Sequence, residues 1–298
     1  MASMARLEQF GIEILHNEPL KKHTSFKVGG PAEYFARPTT IIQLGLCWAE
    51  ARTKKIPITI LGDGTNVLVS DKGIPGMVIS TNLFKDIFIQ DNQLMVMAGA
   101  RLSKVAEEAC KAGLAGLEFA SGIPGTMGGA VYMNAGAYGS EIGDFVVSGL
   151  LVDQHLDTIE LSRDEMKFGY RSSYMQALDA LVLQVKLELT PGDPVAIRDK
   201  MNGLNAKRKA SQPLNMPSAG STFKRPEGNF AGSLIEKSGL KGVSIGGAQI
   251  SEKHAGFIVN TGDATAKDIF DLILKVRHTV YSQHGITLEP EVRLLGDF

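Results

Sequence analysis

Two glycine-rich runs, each following an apolar, strand-like segment, constrain this chain more than any other feature. The first, Gly62-Asp63-Gly64-Thr65-Asn66, ends the run from Ile58 to Leu61 and leads into Val67-Leu68-Val69, a β-branched and apolar stretch that favours strand over helix. The second, Gly122-Ile123-Pro124-Gly125-Thr126-Met127-Gly128-Gly129-Ala130, continues to Asn134-Ala135-Gly136-Ala137-Tyr138-Gly139. A Rossmann site needs its glycine turn to open a helix whose N-terminus holds a pyrophosphate, and the strand after Asn66 denies it one. Backbone N–H groups of successive glycine turns converge instead into nests, which hold phosphate oxygens without net protein charge. A single such run reads equally well as turns where φ must be positive. Two within one domain point to a dinucleotide, and the missing helix points to FAD in a non-Rossmann cradle.

The 298 residues exceed what one hydrophobic core usually serves, so two or three domains are expected. Residues 1 to 22 read as a short helix or arm, and Thr24 to Phe35 as two strands around the Gly29-Gly30-Pro31 turn. Leu44, Cys47, Trp48 and Ala51 repeat at helical spacing, as do Ile269, Leu272, Ile273, Val276 and Val280, the latter behind a Thr265/Asp268 capping box. Strands around 77–80, 86–89, 94–98, 146–152, 158–161 and 181–189, with a helix over 102–112, complete an α+β domain. Pro191-Gly192-Asp193-Pro194 reads as a linker. The expected division is an arm over 1–22, a cofactor domain over 23–192 and a smaller α+β domain over 195–298, whose last strand returns to the cofactor domain.

A composition of 44% hydrophobic and 21% charged residues fits an ordinary globular protein. The net charge of -1 offers no broad positive field, which excludes nucleic acid as an expected partner, and nothing marks an obligate protein partner. No stretch reaches the roughly 18 to 20 consecutive apolar residues of a membrane span, and the N-terminal residues lack a signal-peptide apolar region. Cys47 and Cys110 lie in helix-like segments outside any ligand spacing and read as reduced core residues, so the cytoplasm is the expected compartment. His16, His23, His155, His254, His278 and His284 form no ligand set, and no metal is expected.

The strings LGDGTNVLVSD, SGIPGTMGGAVYMNAGAYG, FGYRSSY, SAGSTFKRP, IGGAQISEKHAGFIVN and LEPEVRLLG occur in this order. Together they resemble the signature blocks of the UDP-N-acetylenolpyruvoylglucosamine reductase family. The first two blocks are similar in kind to those of the wider vanillyl-alcohol-oxidase, or PCMH, type of flavoprotein, and alone they imply FAD but no substrate. The resemblance implies an α+β chain with a PCMH-type flavin domain, non-covalent FAD, and a smaller domain that closes over a small-molecule nucleotide sugar. It also implies hydride transfer from NADPH, as co-substrate, to FAD and then from flavin N5 to the methylene carbon of an enolpyruvyl ether, in peptidoglycan precursor synthesis. Cofactor contacts are expected at Gly62, Asp63, Gly64, Thr65 and Asn66, along Gly122, Ile123, Pro124, Gly125, Thr126, Gly128, Gly129 and Ala130, and at Asn134 and Gly136.

Three catalytic residues follow from the blocks: Arg171 from FGYR, Ser221 from GSxFK and Glu291 from LEPEV. Hydride addition pushes an electron pair onto C2 and its carboxylate, so a fixed guanidinium able to hold a carboxylate by two hydrogen bonds suits Arg171. C2 then takes a proton, and a weak acid such as Ser221 suffices against a strongly basic carbon once it is positioned. Glu291 beside a developing dianion is expected to be protonated or bridged through Arg171 or water, since burial and like charge both raise its pKa. Outside their blocks these residues read as a surface ion-pairing arginine, a turn-forming serine and a strand-edge glutamate paired with Arg293 or a lysine. Lys224 and Arg225 are candidates for neutralising the UDP pyrophosphate, with two solvated charges as the plainer reading, and His254 lies in a block that the family uses near substrate.

Thr65 stands where the family commonly has serine, and Arg225 where longer members have asparagine. The stretch from Arg171 to Leu189 is too short for the tyrosine-bearing loop of those members, so the shorter class is expected. Two other functions remain open on the residues: a flavin oxidase of the same cradle passing electrons to oxygen, and a module that binds FAD or UDP-sugars without turnover. No His or Cys attachment motif for a covalent flavin supports the first.

Overall fold

The structure, a computed structural model, describes residues 4–153, 157–178 and 180–298; His155 lies outside them. The chain forms two compact units. The first comprises residues up to Leu15, Phe35–Asp63 and Gly76–Arg208; the second comprises His16–Tyr34, Gly64–Pro75 and Lys209–Phe298. The division falls late in the helix Pro194–Ser211 rather than at the Pro191–Pro194 linker, and two N-terminal stretches group with the C-terminal third. The reason is packing: Ile197 and Met201 of that helix bury in the first core, while Phe26, Val28 and Leu68 bury in the second.

In the first unit the strand Ile58–Leu61 pairs in parallel with Ile74–Ser80, from Ile58 opposite Met77 to Leu61 opposite Ser80. A five-stranded antiparallel sheet runs in the order Thr158–Ser162, Val146–Asp153, Ala180–Glu188, Gln93–Met97, Ile87–Gln90. The helix Leu102–Lys111 buries Leu102, Val105, Ala106, Ala109 and Cys110, a stripe at helical spacing, into the same core. The helix Ile41–Thr53 buries Leu44, Cys47, Trp48 and Ala51 as the spacing requires, and its Thr40 hydroxyl accepts a hydrogen bond from Gln43 N–H.

The second unit packs the helix Ala266–His284 against a small antiparallel sheet of Ser244–Ile245, Ala248–Ile250 and Ile258–Asn260. The Thr265/Asp268 capping box forms, and Gly285 ends the helix in the left-handed region at φ 67°. Asp71 adds a further cap: its two carboxylate oxygens accept from Ala266 N–H and Lys267 N–H, each at 2.9 Å. The strand Arg293–Leu295 pairs in parallel with Val67–Val69, directly after the first glycine run.

Several elements differ from the sequence reading. The arm contains the strand Glu13–Pro19, and Thr24 to Val28 are not a strand, because the Thr24 hydroxyl donates to Val28 C=O and closes that segment into a turn. The helices Met127–Met133 and Ala231–Lys237 are additional, both too short and too glycine-bearing for periodicity to reveal. No helix among the described residues is long and apolar enough to cross a membrane.

Candidate functional site

Gly62 and Asp63, which open the first glycine run, meet the second run in the first unit. A Cβ on Gly62 would stand 2.5 Å from Thr126 Oγ1, so only glycine lets the first turn approach the second run this closely. Arg101 ties them further. Its Nε lies 3.2 Å from Asp63 Oδ2, its backbone forms a bridge with Thr126, and the following Leu102 N–H donates to Gly125 C=O at 2.9 Å. Thr81 N–H donates to Leu61 C=O, which brings the next turn alongside, and there Asn82 Oδ1 is buried without a hydrogen-bond partner. A buried acceptor lacking a donor costs about 1–3 kcal/mol, so beside a glycine-lined cradle it marks a place where a ligand hydroxyl or N–H fits.

The second run corrects one part of the nest reading. Met127 N–H donates to Ala100 C=O, Gly128 N–H to Ala98 C=O and Ala130 N–H to Thr126 C=O, each at 2.8 Å, so these donors are spent within the fold. The physical reason is that the run opens the helix Met127–Met133. Gly128 serves packing, since a Cβ there would lie 3.0 Å from the Ala98 methyl. Pro124 and Gly129 are exposed, with Gly122, Ile123 and Gly125 half-buried beside them, and this is the face left for a ligand.

Asn134 is fully buried at φ 43°, the left-handed cap of that helix. Its Oδ1 accepts from Gly143 N–H at 3.0 Å and its Nδ2 donates to Gly169 C=O at 2.9 Å, so both ends of the amide are engaged in the fold. A direct cofactor contact through this side chain therefore gives way to an anchoring role. What it anchors is the loop of Arg171, which itself sits at φ 53°. Arg171 Nη2 donates to Gly136 C=O at 2.9 Å, its guanidinium lies 5.0 Å from the Tyr170 ring centroid, and its own C=O accepts from Gln176 Nε2 at 3.1 Å. A non-glycine residue held left-handed, with its main chain fixed by Gln176 and its head by Gly136 C=O and the Tyr170 ring, is a pre-oriented cation.

Gly64, Thr65 and Asn66 belong to the second unit. Gly64, at φ 61°, passes so close to His23 C=O that a Cβ would overlap it. Asn66 holds the segment of Glu291: its Nδ2 donates to Glu291 C=O at 3.1 Å and its C=O accepts from Arg293 N–H at 3.0 Å.

Ser221 and Glu291 lie on neighbouring, hydrogen-bonded segments of the same unit. Glu291 N–H donates to Thr222 C=O and Lys224 N–H donates to Glu289 C=O, both at 2.8 Å, with Phe223 bridged to Pro290. Both side chains are half-buried, and Ser221 Oγ donates to Phe223 C=O at 3.1 Å. Gly256 separates Ser221 from His254: a Cβ there would stand 3.6 Å from Ser221 Oγ and 3.0 Å from His254 Cε1. His254 Nδ1 accepts from Gly256 N–H at 3.1 Å, which puts the ring proton on Nε2, and burial pushes the pKa of the imidazole below its ordinary value. Lys224 Nζ pairs with Glu289 at 2.5 Å, while Arg225 stacks on Phe230 with its guanidinium 4.0 Å from the ring centroid. Arg171 belongs to the first unit and Ser221, Glu291, Lys224, Arg225 and His254 to the second. No group of three or more His, Cys, Asp or Glu among the described residues could hold a metal. Arg101 and Asn82 had no signal in the sequence, since each depends on which neighbour the fold brings to it, and Gly256 was visible only as part of the block that holds His254.

The sequence pattern of the FAD binding domain matches residues 32–161, and that of the UDP-N-acetylenolpyruvoylglucosamine reductase C-terminal domain matches residues 212–295. A UDP-N-acetylenolpyruvoylglucosamine reductase of Caldanaerobacter subterraneus subsp. tengcongensis is 49% identical over 281 residues, 94% of this chain and 93% of the relative. The chain belongs to the UDP-N-acetylenolpyruvoylglucosamine reductase family. A second reductase of that name, from Clostridioides difficile, is 48% identical over 286 residues, 96% of this chain and 94% of its own length. The solved reductase of Thermus caldophilus superposes with a TM-score of 0.81 at 36% identity, covering 96% of this chain and 99% of that one. Physcomitrella patens BBE-like 1, at 17% identity and a TM-score of 0.50 over 64% of this chain and 45% of its own, shares the fold alone. The expected fold class, an α+β reductase with a PCMH-type flavin domain, is borne out.

Proposed function

We infer that this chain reduces the enolpyruvyl ether of UDP-N-acetylglucosamine enolpyruvate to UDP-N-acetylmuramate, with non-covalent FAD as cofactor and NADPH as reductant, in peptidoglycan precursor synthesis. The observation that carries the reading is near-full-length membership of a reductase family, and the hydrogen bonds that hold Arg171, Ser221 and Glu291 support it. FAD, when bound, supplies hydride to the methylene carbon of the substrate. Gly62, Gly125, Gly129 and the orphaned Asn82 acceptor are the groups of the first unit best disposed to hold it. The stretch 23–192 is read as the flavin-binding part and 195–298 as the substrate-binding part.

As hydride arrives, charge builds on C2 and its carboxylate. Arg171 meets it with a guanidinium already turned and fixed, so little reorganisation is needed at the moment of reaction. Ser221 gives C2 its proton, releasing the Oγ bond to Phe223 C=O by rotation about χ1. Glu291 is assigned the protonated or water-bridged carboxyl beside the intermediate, in a register fixed by Asn66 and Thr222. His254 offers a neutral Nε2–H donor to substrate, and Lys224 and Arg225 cationic contacts for the pyrophosphate. The buried thiols of Cys47, whose pKa burial raises to about 12, and Cys110 support action in a reducing compartment, the cytoplasm. The test is anaerobic: NADPH should bleach the yellow protein and UDP-N-acetylglucosamine enolpyruvate should restore the colour. Recolouring by air alone, with no response to that substrate, would refute the reading in favour of an oxidase.

A further inference from the structure

The strand Ile87–Gln90 is the outer edge of the five-stranded sheet, with no strand beyond it among the described residues. Its partner strand fixes which main-chain groups are used inward. Met97 N–H donates to Asp86 C=O, and the register pairs Phe88 with Met95 and Gln90 with Gln93. In an antiparallel ladder bonded and non-bonded pairs alternate, so Asp86, Phe88 and Gln90 bond inward while the N–H and C=O of Ile87 and Ile89 point to the free side. The side chains there are apolar: Phe88 is 57% exposed, Met95 beside it 43% and Ile89 37%. Natural edges are usually blunted by charge within the strand. Here Lys85, Asp86 and Asp91 only flank it.

We propose that this edge pairs antiparallel with the same edge of a second copy of the chain, about a two-fold axis at Phe88. In that register Ile87 of one copy faces Ile89 of the other, and these are the residues whose free N–H and C=O groups would exchange bonds. Phe88 then falls in the close, non-bonded position opposite Phe88 of the second copy, extending the outer apolar face formed with Met95. Lys85 falls opposite Asp91 at both ends, so these two charges of the segment KDIFIQD are self-complementary, while Asp86 faces the neutral Gln90. A slip of one residue breaks the bonding phase, and a slip of two sets Lys85 or Asp91 against an isoleucine. The segment therefore specifies one register.

The interface is short, so the dimer is weak and reversible, and sedimentation velocity of the FAD-loaded protein between about 1 and 300 µM should show the monomer giving way to dimer. Ile89→Pro removes an outward N–H that the internal ladder does not use, and should leave monomer throughout with unchanged far-ultraviolet circular dichroism. Lys85→Asp should weaken the dimer roughly 5- to 10-fold, and Asp91→Asn in that background, tolerated at φ 53°, should restore part of it. A monomer across the whole range, or a dimer indifferent to Ile89→Pro, would overturn the proposal; failure of the Asp91→Asn rescue would overturn the register. None of these outcomes depends on the substrate assignment.

Discussion

Ser221→Ala separates the two halves of the proposed reaction. The hydroxyl makes one 3.1 Å bond, to Phe223 C=O, in a half-buried turn, so its loss costs about 0.5–1.5 kcal/mol and the variant folds. Its neighbours are held independently, by Thr222 N–H to Gly256 C=O and Glu291 N–H to Thr222 C=O, so the surrounding ladder stays in place. A positioned proton donor contributes about 100- to 10,000-fold, or roughly 3–5.5 kcal/mol of barrier. That loss should fall on oxidation of the reduced protein by enolpyruvyl substrate, because only there does C2 need a proton. Reduction by NADPH needs no such proton and should change less than about twofold. Anaerobic stopped-flow absorbance of the flavin resolves the two steps in one preparation. Ser221→Cys, which keeps a proton donor, should lie between wild type and Ser221→Ala in the second step. Equal loss in both halves, or an unchanged second half, would refute the assignment of the proton to Ser221.

Arg171→Lys keeps the charge but loses the fork, and should lower kcat by about 100- to 1,000-fold with the flavin-to-protein ratio unchanged; a rise in KM alone would contradict the transition-state role. Gly62→Ala drives a methyl to 2.5 Å from Thr126 Oγ1 and should lower FAD retention in ultrafiltration, with recovery when Thr126→Ala is added. Because burial depresses the His254 pKa below 6.5, the unfolded chain takes up that proton first and stability declines as pH falls from that value. His254→Gln should therefore narrow the gap between urea midpoints measured near about pH 8 and pH 5, whereas an unchanged gap would place the pH dependence elsewhere.

Periodicity located the helices that bury one long stripe. The spacing of Leu44, Cys47, Trp48 and Ala51 and that of Ile269 to Val280 each have a single amphipathic solution, and Thr265 with Asp268 marks its start chemically. It missed Met127–Met133 because the helix has only seven residues, so its buried Met127, Ala130 and Val131 make too short a stripe to show a period, and two glycines interrupt it. The motifs singled out Arg171 and Glu291 as candidates but gave no hint of what fixes them, since Gly136 C=O and Asn66 Nδ2 are partners chosen by tertiary approach, whereas the Ser221 partner, Phe223 C=O, is local. The unit boundary was illegible for a related reason. Residues 16–34 and 64–75 lie far from the C-terminal third in sequence, and only the burial of Phe26, Val28 and Leu68 beside Ile269 and Leu288 reveals where they belong.

Asn66 and Asn134, both expected at a cofactor, have their amide groups on the segments proposed to carry catalysis, and this changes what a glycine-rich signature encodes. Asn66 ends the first run and holds Glu291 C=O; Asn134 ends the helix opened by the second and holds Gly169 C=O, two residues before Arg171. An Asn amide can donate and accept at once, and at Asn134 it also tolerates φ 43°. Leucine or alanine would leave Gly143 N–H and Gly169 C=O without these bonds, and aspartate would set a carboxylate against the Gly169 carbonyl. Within each unit, then, the chain that turns through glycines and the chain that carries a proposed catalytic residue share a hydrogen bond. A change that loosens one turn should reach the reactive group next to it before it reaches the core.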